Sequence, residues 1–151
     1  SRDEDKRTPM RWTAQSPGFG FTTADRSWHS SQEATGVDVA AQQNQPGSLW
    51  TLYRDLIALR HSQAALADGT SSRPTVADGD RGVVAVLRTL DDQRVLVIAN
   101  VHSEDATAFT VSVDGTPSVM LQEGLEGDVT MENGQLRVAG LKGRGFAFIR
   151  L

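Results

Sequence analysis

The sequence predicts an α+β chain in which a long loop and one helix precede an antiparallel β-sandwich. Residues 1–47 show neither helical nor strand periodicity, whereas residues 48–65 carry an apolar stripe with helical spacing. From residue 74 onward, short apolar runs alternate with turn residues, which is typical of antiparallel strands. We therefore predict two domains, 1–70 and 74–151, separated by the polar stretch that ends at Arg73.

The first 47 residues contain three of the five prolines together with several glycines and serines. Such a composition predicts a long ordered loop, and loops of this length in compact domains are usually functional. The loop carries four large aromatic side chains, at Trp12, Phe19, Phe21 and Trp28. We expect these rings to pack beneath the loop, and stacking against a sugar is the alternative.

The helix predicted for residues 48–65 has a wide apolar face. Its stripe consists of Leu49, Leu52, Tyr53, Leu56 and Leu59, with Trp50 and Ile57 widening it on one side. Pro46 is expected in the first helical turn, and Ser48 or Asn44 is expected to cap the helix. A face this wide requires more than one packing partner.

The second domain begins with two apolar runs, Val83–Leu87 and Val95–Val101, which predict central strands covered on both faces. Residues 109–113 alternate between apolar and polar side chains, so that strand is expected to have one exposed face. Asp114-Gly115 is predicted to turn the chain after it. Gly145–Leu151 supplies the last predicted strand.

The pair Asn133-Gly134 predicts a β-hairpin, because both central residues of a type I′ turn need a positive φ. A two-residue loop at this position pairs Met131 with Leu136 and Val129 with Val138. These four side chains then share one face of the hairpin, and the polar residues between them take the other.

Composition excludes several classes of partner. The net charge is −4 and there is no run rich in lysine or arginine, so neither a nucleic acid nor an anionic membrane is an expected partner. The chain has no cysteine, which excludes disulfides and thiolate metal sites. This slightly favours the cytoplasm without excluding secretion.

The sequence shows no metal or cofactor site. His29, His61 and His102 do not have the spacing of a histidine metal site, and the acidic run Asp3–Asp5 is expected to be solvated. No phosphate-binding loop or nucleophile elbow is present. The remaining candidate carboxylates form no recognisable catalytic pair and are not expected to be buried: Asp38, Asp55, Asp78, Asp80 and Glu104.

Three segments resemble a known family. They are Arg7-Thr8-Pro9-Met10-Arg11-Trp12, the loop Gly18-Phe19-Gly20-Phe21-Thr22-Thr23, and the helix sequence Leu49–Arg60. Together they resemble the α-amylase family, glycoside hydrolase family 13, in its α-glucosidase, oligo-1,6-glucosidase, trehalose synthase and α-amylase branches. The resemblance implies that residues 1–70 are the loop and last helix that close a (β/α)₈ barrel. Residues 74–151 would then be the C-terminal β-sandwich.

The resemblance also implies where catalysis takes place. In this family the nucleophile Asp, the acid/base Glu and the stabilising Asp lie on earlier barrel strands, and a whole barrel takes roughly 250 residues. The chain is therefore expected to be the C-terminal portion of an enzyme, with no catalytic residue of its own. Arg2 matches an arginine that contacts sugar hydroxyls in α-glucosidases and sucrose isomerases, so it is implied as a substrate-binding residue. Arg7 and Trp12 are expected to anchor the loop.

Some positions depart from the family pattern. Arg11 stands where glutamine is usual, and Gln63-Ala64 where a proline usually occurs. These departures leave the specificity subgroup open, including the choice between a hydrolase and a transglycosylase.

Three functional hypotheses follow. The first is the C-terminal portion of an enzyme that acts on α-glucans or α-glucosides with retention, inactive by itself. The second is a carbohydrate-binding module, against which the absence of Trp and Tyr from residues 74–151 argues. The third is a half-enzyme that docks onto an N-terminal barrel segment, or onto a second copy, through the face of its helix.

Overall fold

The structure, a computed structural model, describes residues 6–15, 17–25, 27–29, 37–77 and 82–151. The chain divides into two compact units, the N-terminal unit Ser1–Ile57 and the sheet unit Ala58–Leu151. Three helices are present among the described residues: α1 (Val39–Gln42), α2 (Leu49–Ser62) and α3 (Ala64–Asp68). The two domains predicted from the end of a barrel, 1–70 and 74–151, stay a prediction.

Every strand of the described chain belongs to the sheet unit. The strands are β1 (Thr70–Ser72), β2 (Val76–Ala77), β3 (Val83–Leu90), β4 (Gln93–Asn100), β5 (Phe109–Val111), β6 (Ser118–Glu132) and β7 (Gln135–Arg150). They pair antiparallel in the order β1-β3-β4-β7-β5-β2, and β6 also pairs with β7. The predicted antiparallel arrangement is confirmed, and the strands form one curled sheet, which is consistent with a β-sandwich-like region.

The curl lies along β7, which is one strand of 16 residues. We predicted two separate strands here, one after the Asn133-Gly134 turn and one at Gly145–Leu151. Near Leu136 the buried side chains of β7 are at even-numbered positions, and near Ile149 they are at odd-numbered positions. The face of the strand that points inward therefore changes along its length. The change falls between Val138 and Leu141. Arg144, three residues after Leu141, has a φ of 65°, and β6 shifts register three times against β7. Bulges of this kind bend a strand pair.

Because the sheet curls, both halves of β7 contribute to one core. This core consists of Val83, Ala85, Leu96, Ile98, Ala106, Phe109, Val111, Val113, Leu136, Val138, Leu141, Ala147 and Ile149. A second, smaller cluster lies on the opposite face of the sheet, where Ala65 and Leu66 of α3 pack against Val95. The side chains of β4 are thus buried on both faces, as predicted.

The neighbouring strand β3 differs from its prediction. Val84 is 46% exposed, because α3 covers only part of the outer face of the sheet. The predicted extension of β4 to Val101 is also wrong, since the strand ends at Asn100 and Val101 is exposed. The alternation in β5 is confirmed, with Phe109 and Val111 buried, and Gly115 with a φ of 127° follows in the predicted turn.

The hairpin at Asn133-Gly134 has the predicted geometry. Both residues have a positive φ, 52° and 77°. Met131 pairs with Leu136 and Val129 with Val138, as the two-residue loop requires. This element depends only on local turn chemistry and on residues close in sequence, which is why the sequence predicts it accurately.

The predicted helix of residues 48–65 is two helices. Gln63 between α2 and α3 has an extended backbone, and its side chain accepts a hydrogen bond from Gln93 at 3.0 Å. The main-chain N–H of Ala65 also donates to Gln93, at 2.6 Å. The break lets α3 lay its apolar side chains on the sheet, a contact that the continuous helix would not make.

The start of α2 agrees with the prediction in part. Ser48 caps the helix by accepting a hydrogen bond from the main-chain N–H of Thr51 at 3.2 Å. Pro46 was predicted in the first turn, and this is wrong because it lies two residues before the cap. Among the described residues, no helix is long and apolar enough to cross a membrane.

Candidate functional site

The N-terminal unit contains a tight turn built around Phe19. The carbonyl oxygen of Phe19 accepts hydrogen bonds from the N–H groups of Trp12 and Thr13, at 2.9 and 3.1 Å, and its own N–H donates to the Gln15 carbonyl at 2.8 Å. Phe19 has a φ of 50° and Gly20 one of 73°. A left-handed residue other than glycine costs about 1–3 kcal/mol, and it persists only where its surroundings fix it.

Burial and an aromatic contact fix Phe19. Its side chain is buried, and the guanidinium of Arg11 lies over its ring at 4.4 Å from the centroid. A cation over an aromatic face is attracted by the ring quadrupole. The Phe19 turn, residues 11–15 and 17–22, therefore has a small core made of one ring and one cation.

The prediction that four aromatic rings pack under the loop is right for Phe19 alone. Trp12 is 50%, Phe21 55% and Trp28 96% exposed, and Trp28 stacks on His29 with their ring centroids 5.9 Å apart. A turn as short as this one encloses a single ring, and Arg11 covers that ring. The other three side chains are each at least half exposed in the N-terminal unit.

The first turn of helix α1 is hydrogen-bonded to the Phe19 turn. The carbonyl oxygens of Arg11 and Trp12 accept the N–H groups of Val39 and Ala40, each at 3.0 Å. Asp38 caps the helix through Oδ1, which accepts the N–H of Ala41 at 2.9 Å, and its side chain is buried. We expected no buried carboxylate, and the capping role corrects this expectation for Asp38.

An apolar groove lies between α1 and the start of α2. It has a volume of about 540 Å³ and is lined mainly by Met10, Val39, Leu49, Trp50, Tyr53 and Ile57. Leu49, Tyr53 and Ile57 of the predicted helical stripe are 54–61% exposed, so this part of the stripe is open to solvent in the structure. An exposed apolar surface of this kind is a common feature of interaction sites.

The candidate site residues from the sequence are largely dispersed. Arg2, the acidic run Asp3–Asp5, Asp78 and Asp80 lie outside the described residues. Asp55 pairs with its neighbour Arg54 at 2.8 Å, and Glu104 accepts a hydrogen bond from Ser103 at 2.8 Å. In the described part of the chain, no group of histidine and acidic side chains is arranged to hold a metal ion.

One ionic cluster connects three segments of the sheet unit. Lys142 Nζ lies 2.9 Å from Asp105 Oδ2 and 2.7 Å from Glu126 Oε1, and the N–H of Gly143 donates to Asp105 Oδ1 at 2.9 Å. The Gly143 N–H, and then Lys142, lower the pKa of Asp105. Hydrogen bonds to Glu126 and Asp105 raise the pKa of Lys142. Because each charge has an opposite partner, the cluster is better suited to joining strands than to catalysis.

We expect the substitution Asp105→Asn to change how stability depends on pH. The folded chain lowers the pKa of Asp105 below its ordinary value of 3.8, so its carboxylate stabilises the fold above that pH. This contribution is lost as the pH falls through the folded pKa. Urea denaturation at about pH 7 and about pH 3 should show a smaller acid-induced loss for the variant than for the wild type.

Asp92→Asn is the matched control, because Asp92 is exposed in the turn between β3 and β4. It should retain the acid-induced loss of the wild type. An identical loss in Asp105→Asn and wild type would show that the Asp105 contacts do not stabilise the folded chain.

Comparison with known proteins shows a relationship to one family. Residues 1–69 match the family model described as "Alpha amylase, catalytic domain". The chain is related to the α-amylase family. The resemblance carried by the three sequence segments is thus confirmed, and both the Phe19 turn and the groove lie within the matched residues.

Individual α-amylase-family relatives agree. The chain is 27% identical over 122 residues to probable oligo-1,6-glucosidase 3 of Bacillus subtilis, which aligns 81% of this chain with 19% of that protein. It is 33% identical over 116 residues to palatinase of Erwinia rhapontici, covering 72% of this chain and 19% of that one. It also resembles a sucrose-bound mutant of isomaltulose synthase from Erwinia rhapontici NX5, with a TM-score of 0.71 and 28% identity, over 94% of this chain and 24% of that chain.

The chain thus spans about a fifth of the length of these curated α-amylase-family relatives and about a quarter of the isomaltulose synthase. The structural match extends past the family model into the sheet unit. Helix α1 and the contact between Arg11 and Phe19 were not predicted from the sequence. The signal for α1 was Asp38 before Val39-Ala40-Ala41, an N-cap residue followed by helix-compatible residues. The Arg11 contact had no comparable signal.

Proposed function

We propose that this chain is the C-terminal portion of an α-amylase-family enzyme that hydrolyses or transfers α-glucosides with retention. Its N-terminal unit would supply the closing loop and last helix of the catalytic barrel, and its sheet unit the appended C-terminal domain. In this proposal the chain shapes and stabilises an active site whose carboxylates lie elsewhere.

The match of residues 1–69 to a catalytic domain is the observation that carries the proposal. The relatives named above are an oligo-1,6-glucosidase, a palatinase and an isomaltulose synthase bound to sucrose, which favours α-glucosides as the substrate class. The open apolar stripe of α2 supports it as well, since the last helix of a barrel packs against its neighbours.

The chemistry of the described residues agrees with a supporting role. A retaining glycosidase places two carboxyl groups about 5–5.5 Å apart across the scissile bond. Asp38 caps α1, Asp55 is paired with Arg54, and Asp105 and Glu126 are bound to Lys142. These carboxylates make capping or ion-pair contacts within the folded chain. We propose Arg2 as a substrate-binding residue on the family resemblance alone.

A direct assay tests this proposal. The purified chain is expected to release no 4-nitrophenol from 4-nitrophenyl α-glucoside and no glucose from sucrose or isomaltose. The polypeptide isolated from its source should have an intact mass well above 16.3 kDa. Turnover by the 151-residue chain that persists through repeated purification would contradict the proposal.

The exposed aromatic side chains Trp12, Phe21 and Trp28 favour a second candidate, a carbohydrate-binding surface in the N-terminal unit. Sugars stack on exposed aromatic faces because the apolar side of a pyranose ring is thereby removed from water. Calorimetric titration with isomaltose and maltoheptaose distinguishes the two candidates. Saturable binding by the isolated chain, lost in Trp28→Ala, would favour the binding surface.

A further inference from the structure

The wall of the apolar groove depends on a helix that is too short to be stable by itself. α1 has four residues, and isolated helices of this length do not form in water. Val39 of this helix lines the groove. Contacts outside α1 must therefore keep this wall in place.

Two of these contacts come from the Phe19 turn. The first two N–H groups of α1, on Val39 and Ala40, donate to the carbonyl oxygens of Arg11 and Trp12. The next N–H, on Ala41, is satisfied by Asp38. The position of the dipeptide Arg11-Trp12 thus decides whether the first turn of α1 is paired.

The same dipeptide is held by Phe19. The Phe19 carbonyl accepts the N–H of Trp12, and the Phe19 ring lies under the guanidinium of Arg11. Phe19 has a left-handed backbone, so it keeps this position only while its ring is buried and covered. If the Phe19 ring leaves its buried position, Arg11 loses the aromatic contact and Trp12 loses the fixed position of its acceptor, the Phe19 carbonyl.

On its other side, α1 is joined to the start of α2. The Gln42 carbonyl accepts a hydrogen bond from Ser48 Oγ at 2.7 Å. Gln42 Oε1 accepts the N–H of Trp50 at 3.3 Å. Trp50 lines the groove, so hydrogen bonds run without interruption from the Phe19 turn through α1 to the far wall of the groove.

We propose that Arg11 and Phe19 form a latch, a pair of side chains that controls the shape of the α1–α2 groove. With the ring buried beneath the guanidinium, α1 is ordered and the groove has two walls. With the ring released, the first turn of α1 loses its acceptors and the groove opens on that side. This coupling is contained within the N-terminal unit and does not depend on the proposed enzymatic function.

Amide hydrogen exchange measured by NMR on the whole chain tests the latch, with Phe19→Ala compared to Phe21→Ala. Both variants remove the same ring from the same loop, but Phe21 is exposed. In Phe19→Ala the amides of Val39, Ala40 and Trp50 should exchange at least about tenfold faster. In Phe21→Ala they should exchange as in the wild type, and the amides of β4 should be unchanged in both.

A second pair of variants separates the latch from a general loosening of the unit. Arg11→Lys keeps a cation over the ring and should preserve slow exchange at Val39 and Ala40, whereas Arg11→Gln should accelerate it. If Phe19→Ala accelerates amide exchange at Leu52 of α2 as strongly as at Val39, the N-terminal unit has unfolded. The comparison of Arg11→Lys with Arg11→Gln then tests the latch. Faster exchange confined to the Phe19 turn, or equal rates in Arg11→Lys and Arg11→Gln, would overturn the proposal.

Discussion

Replacing Phe109 by alanine is expected to lower the free energy of unfolding of the sheet unit by about 3–5 kcal/mol. Phe109 is among the largest fully buried side chains of the core, with 1% of its surface exposed. It lies on β5, a strand of three residues that joins β2 to β7. Removing the ring leaves a cavity between both halves of the curled sheet, which so short a strand is poorly able to fill by moving.

The measurement is urea denaturation followed by the β-sheet circular-dichroism signal, with the midpoint and slope compared to the wild type. Domains of this size are stable by only about 5–15 kcal/mol, so the variant should lose a large part of its stability. Val119→Ala is the control, because Val119 on β6 is 41% exposed and should cost less than about 1 kcal/mol. A Phe109→Ala variant as stable as this control would show that the core is not packed around Phe109.

The isosteric substitution Asn100→Asp is expected to destabilise the sheet unit by about 3 kcal/mol or more. Asn100 is 3% exposed at the end of β4. Its Nδ2 donates to the carbonyl oxygens of Glu104, Leu141 and Lys142, at 2.7, 3.3 and 3.2 Å. An aspartate would direct an unpaired carboxylate oxygen at these carbonyls, adding charge repulsion to the lost hydrogen bonds.

Comparison with Asn100→Ala separates these two causes. The alanine variant loses the hydrogen bonds without gaining a charge, so it should be destabilised less than Asn100→Asp at neutral pH. The difference should shrink as the pH falls, because a protonated carboxyl group donates one of the missing hydrogen bonds. Asn44→Asp, at an exposed position, should have little effect. Equal stability of Asn100→Asp and the wild type at neutral pH would contradict the buried position of this amide.

The sequence predicts those parts of the fold that depend on neighbouring residues. The Asn133-Gly134 hairpin, the alternation around Phe109 and the Ser48 cap each depend on turn chemistry or on side chains a few positions apart. The curl of the sheet is accompanied by a positive φ at Arg144 and by register shifts between β6 and β7. Neither has a distinctive sequence pattern, because arginine rarely adopts this conformation and bulges leave hydrophobic content unchanged.

The candidate site was predicted less well than the sheet. The sequence located the apolar stripe of α2, but the end of the helix at Gln63 depends on Gln93, which is thirty positions away. The aromatic residues of the loop were expected to be buried because of their size, whereas the Phe19 turn has room for one ring. The position of a side chain such as Arg11 over Phe19 follows from the path of the whole turn, which local propensity does not determine.

The long strand β7 has a consequence for the order in which this chain folds. Residues 146–150 are the hydrogen-bonded partners of β4, whose residues 95–99 are made about fifty residues earlier. Until the later segment has left the ribosome, β4 exposes one edge and the apolar side chains that Ala147 and Ile149 will cover. Such non-local pairing slows folding, and an unpaired apolar edge invites aggregation. Nascent chains that stall before residue 146 should therefore be the species that most need a chaperone.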